Sequence, residues 1–208
     1  MKTSASGRER DQAARQGRMR KRILMAAMKL FLEKGFNSVT MRNIAAEIDY
    51  SPGTIYRYFA DKDEIFFALR GEGFELFDKH MAAVRRAPGS RKGLRKGLEA
   101  YASFALENPE YYDIMFIMRA PIERIGEREE WGRTTGSFDL LREDVRQAID
   151  AGLIRGDNVD KTAFALWSLL HGMLTLILRR RVGRLAGVTD RKLLNQVIGF
   201  ALDSLLKS

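Results

Sequence analysis

The stretch of sequence that decides the fold, residues 40–59, reads TMRNIAAEIDYSPGTIYRYF. Thr40 and Ser51 are residue types that favour helix N-caps, and Pro52 follows at a first helical position. The spacing therefore predicts two helices of one to two turns, separated by about three residues. This is the spacing of a helix-turn-helix, a motif whose second helix lies in the DNA major groove.

The two predicted helices have different inner and outer faces. The inner face is apolar and would hold the helices together; it comprises Ile44, Ala45, Ile48, Ile55 and Phe59. The outer face offers hydroxyls, tyrosine rings, a guanidinium and bare backbone, all of which suit phosphates or base edges. Because Ile55 and Phe59 already occupy the inner stripe, Phe59 is interpreted as core, and Tyr56 and Tyr58 as DNA contacts rather than core.

Three segments resemble the tetracycline-repressor (TetR) family of bacterial regulators: Lys34-Gly35-Phe36, residues 40–45 (TMRNIA) and residues 51–62 (SPGTIYRYFADK). The resemblance implies a recognition helix at 52–58. It implies base or backbone contacts from Thr54 and Tyr56, and phosphate contacts from Tyr58 and Lys62. At the first short helix it implies contacts from Thr40 and Arg42.

Arg57 is interpreted as a guanine reader, with a contact to phosphate alone as the alternative. The predicted DNA-binding residues are Thr40, Arg42, Ser51, Pro52, Gly53, Thr54, Tyr56, Arg57, Tyr58 and Lys62.

The chain of 208 residues is predicted to be all-α with about nine helices, because apolar residues recur at three- and four-residue spacing and only four prolines occur. With the resemblance, this predicts a helix-turn-helix domain at 18–64 and an effector-binding and dimerisation domain at 65–208. The absence of cysteine excludes disulfides, thiolate catalysis and Cys-ligated zinc, and it fits a reducing interior.

The positive charge is concentrated at the N-terminal end. The formal charge is +9, and residues 1–22 hold eight Lys/Arg against two acidic residues. A net positive field favours an anionic polymer or an anionic membrane surface as partner. Residues 1–17 have no apolar period and are predicted to form a mobile basic arm. The arm either adds non-specific attraction to phosphates or serves only as a solubilising tail.

The second half carries one local match, because Trp167-Ser168-Leu169-Leu170-His171-Gly172 resembles the Trp-x-x-x-His-Gly pattern of one C-terminal subgroup of the family. The resemblance implies that the last two helices, predicted at about 160–181 and 190–207, pack against their copies in a homodimer. Apolar residues on more than one face of both helices support this interface independently. A two-fold dimer would present two recognition helices to two half-sites.

Aromatic and methionine side chains of this half make adaptable apolar pockets. The candidate effector-binding residues are Tyr101, Phe104, Tyr112, Met115, Phe116, Phe138, Trp167 and His171. Ordinary core packing is the alternative for each of these residues. A lone histidine on an apolar helix is usually a hydrogen-bonded core residue, and this is the alternative for His171.

The sequence therefore predicts a sequence-specific DNA-binding transcriptional regulator in the cytoplasm, acting as a repressor that a small, largely apolar effector releases from its operator. The helix predicted from Lys62 to Ala87 would be the lever. The alternative is a regulator of the same fold without an effector, controlled by a protein partner or by abundance. Phosphate-loop, nucleophile-elbow and metal-ligand patterns are missing, so no enzyme, cofactor or metal is predicted. The uncharged run 162–178 is interpreted as an interface helix rather than a membrane span.

Overall fold

The computed structural model describes residues 3–84, 90–119, 131–154, 158–182 and 190–205, and within these ranges it forms nine α-helices and no strand. The helices are α1 (Thr3–Lys34), α2 (Met41–Glu47), α3 (Pro52–Tyr56), α4 (Lys62–Val84), α5 (Arg91–Glu107), α6 (Pro109–Tyr112), α7 (Trp131–Asp150), α8 (Val159–Leu178) and α9 (Asp190–Leu205). The all-α prediction is confirmed. The predicted end of α4 at Ala87, and the last two residues of the helix predicted at 190–207, lie outside the described residues.

The chain divides into two compact units. The first comprises Met1–Gly73 with Asp113–Ile122, and the second comprises Phe74–Tyr112 with Glu123–Ser208. The predicted boundary between residues 64 and 65 lies near the start of α4, and the division between the two units lies after Gly73 of the same helix, which continues to Val84.

The predicted mobile arm, residues 1–17, is helical from Thr3 onward as the first half of α1. Residues 7–18 are all exposed, so the expected lack of packing is correct while the expected lack of structure is not. Alanine, arginine and glutamine have high helix propensity, and they extend a helix that the buried residues after Ile23 already nucleate.

The first unit packs around aromatic rings. Phe31 of α1 lies 5.2 Å from Phe36 and 6.0 Å from Phe66 of α4 between ring centroids. The chain leaves α1 through Gly35, whose φ of 77° lies in the left-handed region that glycine adopts without strain. This core fixes the frame on which α2 and α3 lie.

The second unit is built from α5, α7, α8 and α9 with the end of α4. The N-cap predicted at Ser90 is confirmed, since its Oγ accepts from the Gly93 amide at 3.0 Å. Helix α7 begins at Trp131, six residues before the predicted start near Ser137. Asn158 caps α8 by accepting from the Lys161 amide at 2.9 Å.

Helix α8 has a buried and an exposed apolar face. Within the described ranges it alone is long and apolar enough to cross a bilayer, judged by length and composition. Its residues Leu166, Leu170 and Leu174 are nevertheless buried inside the unit, as in a core helix. On the other face Phe164 is 58% exposed and Leu176 is 51% exposed.

Candidate nucleic-acid interface and effector cavity

A capping box fixes the start of α2. The Thr40 Oγ1 accepts from the Asn43 amide at 3.2 Å, and the Asn43 Oδ1 accepts from the Thr40 amide at 2.9 Å. The predicted N-cap at Thr40 is confirmed. The reciprocal pair satisfies two amides at the start of a helix of only seven residues.

The turn between α2 and α3 is tight. Asp49 has a φ of 59°, a conformation that Asp and Asn tolerate better than other non-glycine residues. The Tyr50 amide donates to the Ala45 carbonyl at 3.0 Å, which closes the turn. Helix α3 then begins at Pro52 after the N-cap Ser51, whose Oγ lies 3.2 Å from the Thr54 Oγ1 instead of capping an amide.

The faces of α3 are divided as the pattern predicted. Ile55 and Phe59 are buried, whereas Tyr56 is 55% exposed. Thr40, Arg42, Ser51, Gly53 and Arg57 are also exposed, and Pro52, Thr54 and Tyr58 are half-buried. The side chains of Arg42, Tyr56 and Arg57 form no hydrogen bond or ion pair with another described residue. They are available to a partner.

The ammonium of Lys62, a residue predicted to contact phosphate, also has partners within the chain. Its ammonium donates to the carbonyls of Phe36 at 3.0 Å and Val39 at 3.1 Å, and it lies 4.4 Å from the centroid of the Phe36 ring. Three features thus hold the ammonium on the turn that follows α1. In this geometry Lys62 connects the start of α4 to that turn and so stabilises the helix-turn-helix.

The start of helix α4 is also capped by side chains. The Glu64 amide donates to Asp61 at 2.8 Å, and the Glu64 carboxylate accepts from the Ala60 amide at 2.6 Å. The predicted cap at Asp61 is therefore confirmed. It fixes the end of the recognition segment relative to the helix behind it.

Basic residues of α1, Arg20, Arg22 and Lys29, support the motif, and sequence reasoning missed these contacts. The Arg22 guanidinium donates to the Ile48 carbonyl at 2.9 Å and lies 5.3 Å from the centroid of the Tyr50 ring. Lys29 donates to Glu47 at 2.6 Å, and this hydrogen bond raises the pKa of the Lys29 ammonium above its ordinary value. Partners 18 to 26 residues apart leave no local signal in the sequence.

The second unit contains a mostly apolar cavity of about 40 Å³. Its walls come from α4, α5, α7 and α8, including Phe77, Met81, Tyr101, Phe138 and Trp167. Three predicted effector residues, Tyr101, Phe138 and Trp167, therefore line one space. The volume holds a few water molecules and is well below that of pockets for drug-sized ligands.

A polar cluster adjoins this cavity. The Tyr112 hydroxyl lies 2.7 Å from Nδ1 of His171, and the Trp167 Nε1 donates to the Tyr101 hydroxyl at 3.3 Å. The Tyr101 hydroxyl lies 3.3 Å from the same Nδ1 of His171. The prediction that His171 is a hydrogen-bonded residue of an apolar helix is consistent with this geometry.

Burial sets the protonation of the cluster. It raises the pKa of Tyr101 to about 12 and raises that of Tyr112 further, because an ionised phenol would lose its hydration. Burial also lowers the pKa of His171. A neutral imidazole shares one hydrogen bond with the Tyr112 hydroxyl through Nδ1. The cluster is thus uncharged at neutral pH.

The remaining predicted effector residues are not brought to the cavity. Phe104 is fully buried and packs edge-on against Phe77, with ring centroids 5.1 Å apart. Met115 and Phe116 belong to the other compact unit, where the Met115 carbonyl accepts from the Arg70 Nε at 3.4 Å. Spacing alone could not separate Met115 and Phe116 from Tyr112, because they follow it along one continuous helical segment.

Family models match both halves of the chain. The model described as bacterial regulatory proteins, tetR family, matches residues 23–69, and the model of a tetracyclin repressor-like C-terminal domain matches residues 94–199. The HTH-type transcriptional repressor Rv1474c of Mycobacterium tuberculosis is 41% identical over 75 residues, which are 36% of each chain. The HTH-type transcriptional regulator HbdR of Aromatoleum sp. is 50% identical over 62 residues, 30% of this chain and 27% of that protein.

The chain thus covers about a third of the length of these curated relatives. A solved structure of a tetR-family regulatory protein from Rhodococcus RHA1 has the same fold, with a TM-score of 0.74 at 19% identity over 91% of this chain and 97% of that one. The subgroup resemblance at Trp167–Gly172 stays a prediction. The family model that spans residues 94–199 covers half of the chain by itself, and the chain therefore belongs to the TetR family of bacterial regulatory proteins.

Proposed function

We propose that this chain is a sequence-specific DNA-binding transcriptional regulator that acts as a repressor and reads its operator with α3. The observation that carries the proposal is the division of α3 into a buried face, Ile55 with the adjoining Phe59, and an exposed face that presents Tyr56 and Arg57 without partners among the described residues. Folding does not use these two side chains, so their chemistry is left for a ligand. A guanidinium beside an aromatic hydroxyl fits phosphates and the acceptor edge of guanine.

The rest of the interface supports this assignment. The hydroxyls of Thr40 and Thr54, the guanidinium of Arg42 and the bare backbone at Gly53 lie on the same short motif, and Thr40, Arg42 and Gly53 are exposed. Half-buried Pro52 and Tyr58 border this surface. Phosphate contacts from such groups position the protein, and Arg57 then reads the base sequence.

Replacing Tyr56 and Arg57 by alanine tests the proposal. The double variant should keep its fold, because neither side chain packs in the core, and it should lose selection of a specific site from a pool of random duplexes. Wild-type protein run in parallel supplies the reference site. Retained selection by the variant would refute the role of α3.

The acting species is proposed to be a homodimer formed through α8 and α9. Phe164 and Leu176 of α8 and Phe200 of α9 are 51–71% exposed in the single chain. Three large apolar side chains on two neighbouring helices are typical of an interface rather than of a solvated surface. Contact with a second copy would bury them and set the distance between two copies of α3.

A small, largely apolar effector is proposed to enter the cavity beside Tyr101, Phe138 and Trp167. The walls are mostly apolar but include Asp144, and the adjoining Tyr112–His171 pair is neutral, so the site favours a largely apolar ligand with at least one hydrogen-bonding group. Such a ligand must enlarge a space of about 40 Å³. Helix α4 carries both its capped start beside α3 and the cavity residues Phe77 and Met81, which makes it the proposed lever.

The small cavity volume also favours a second candidate, a regulator of the same fold that has no effector and is controlled by a protein partner or by abundance. Mass spectrometry of small molecules extracted from the purified protein separates the two. A stoichiometric compound that lowers operator affinity when added back supports the effector. An empty protein whose operator affinity does not respond to added compounds supports the second candidate. In either case we propose that the protein binds its DNA in the cytoplasm.

A further inference from the structure

The first half of α1 is a helix without a core. Residues 7–18 are exposed on every side, and continuous burial begins only at Ile23. At 1.5 Å per residue, the segment from Thr3 to Lys21 extends for about 28 Å. We call this segment the N-terminal extension.

The N-terminal extension is strongly basic on one face. Arg8, Arg15 and Arg18 precede Arg22 by 14, 7 and 4 residues, and this spacing aligns all four guanidinium groups within about a quarter of the helix circumference. Asp11 is the one acidic residue in this arc. Arg8, Arg15 and Arg18 form no ion pair with another described residue, so their charge is not neutralised internally.

Such a helix is poorly stabilised by itself. Residues 7–18 bury no apolar stripe, and like charges three or four residues apart on a helix repel each other. A polyanion laid along the arginine face would remove this repulsion and add charge-assisted hydrogen bonds. An anionic partner would therefore stabilise this helix.

The contacts of Arg22 show which part of the helix-turn-helix the basic face adjoins. Arg22 lies on this face and contacts the Ile48 carbonyl and the Tyr50 ring, in the turn that directly precedes the N-cap of α3. The N-terminal extension therefore departs from the edge of the motif next to the start of the recognition helix. Among polyanions, duplex DNA held by α3 is the one that this edge meets.

We propose that the N-terminal extension binds the phosphate backbone of duplex DNA outside the half-site that α3 reads. The proposal rests on the proposed function of α3 and adds a second contact that is independent of base sequence. Its length matches up to about 8 base pairs at 3.4 Å each. The contact uses Arg8, Arg15 and Arg18 of both protomers.

The test compares operator duplexes of two lengths. Wild-type protein selects a site from random duplexes, and that site is then prepared trimmed to its core or extended by ten arbitrary base pairs on each side, with two different flanking sequences. The test variant carries Arg8→Gln, Arg15→Gln and Arg18→Gln, which keep helix propensity. The matched control carries Lys79→Gln, Lys92→Gln and Arg119→Gln, three exposed residues outside α1.

Fluorescence anisotropy over a salt series gives the readout. Wild type and the control should bind the extended duplex more tightly than the trimmed one with either flank, and the test variant should bind both lengths equally. Six lost phosphate contacts per dimer would make the salt slope on the extended duplex shallower by about 5. Between 50 and 200 mM salt, wild type would then lose about a thousandfold more affinity than the test variant.

Two results would overturn the proposal. One is a test variant that keeps the wild-type preference for the extended duplex and the wild-type salt slope, as a merely solubilising tail would. The other is a test variant that loses binding only to phosphatidylglycerol vesicles, which would make the partner a membrane surface. Failure of the proposed function is seen separately, because the Tyr56→Ala, Arg57→Ala variant would then still select the same site.

Discussion

Gly53→Ala separates what α3 needs for folding from what it needs for DNA. Gly53 is exposed and has no positive φ, and a Cβ at this position would meet only the Ser51 Oγ, at an ordinary 3.8 Å. Alanine is the better helix former, so the free protein should gain up to about 0.5–1 kcal/mol of unfolding free energy. For a chain of this size that raises the thermal midpoint by about 1–4 °C.

The same methyl group should weaken DNA binding. Gly53 lies on the exposed face between Ser51 and Tyr56, and in the proposed complex the backbone here approaches DNA too closely to leave room for a side chain. An overpacked contact costs about 1–3 kcal/mol, which is about 5- to 150-fold in affinity for each half-site.

The assay pairs differential scanning calorimetry with anisotropy on the selected operator duplex. Gly136→Ala is the matched control, because Gly136 is also an exposed helical glycine, and a Cβ there meets nothing within 4 Å. The control should gain stability and keep its affinity for DNA. If Gly53→Ala binds the operator as tightly as wild type does, the backbone at this position does not approach DNA and the assigned contact surface is wrong.

Three further predictions address other parts of the molecule. Lys62→Met should lower the free energy of unfolding in urea by about 1–3 kcal/mol, because the Phe36 and Val39 carbonyls lose a charged donor; unchanged stability would mean that the bracing contacts are unimportant. Leu176→Arg should convert the dimer to a folded monomer in analytical ultracentrifugation, and a persistent dimer would assign the interface elsewhere. The free energy of unfolding should fall as the pH drops below about 6.5, because burial lowers the pKa of His171 in the folded protein and the unfolded chain takes up the proton more readily. Denaturation curves at pH 7.5 and 5.0 should show a smaller difference in stability for His171→Gln than for wild type.

The sequence predicted well those features that depend on neighbouring residues. The caps at Thr40 and Asp61 each use a partner three residues away, and the two faces of α3 follow from the helical repeat alone. Capping residues and the helical repeat can be identified from neighbouring positions in the sequence. The helix-turn-helix was therefore predictable from the sequence alone.

Contacts between residues that are far apart in the sequence could not be predicted in this way. The carbonyls that hold Lys62 lie 23 to 26 residues earlier in the chain, and the carbonyl that Arg22 reaches lies 26 residues later. The N-terminal extension was misjudged for a related reason, since its helicity is propagated from the buried segment that follows it. Met115 was a candidate effector residue because methionine lines adaptable apolar pockets, but the boundary between the two units falls between Tyr112 and Asp113.

The small size of the cavity in the second unit also has a kinetic consequence. A ligand that needs more than about 40 Å³ can enter only if the side chains around Trp167 move, and we expect this opening to precede binding. The observed association rate would then level off at high ligand concentration instead of rising linearly, and it would stay below the usual range for a preformed site. Stopped-flow recording of Trp167 fluorescence would measure the opening rate of the core itself, and that rate sets the shortest time in which such a regulator responds to its signal.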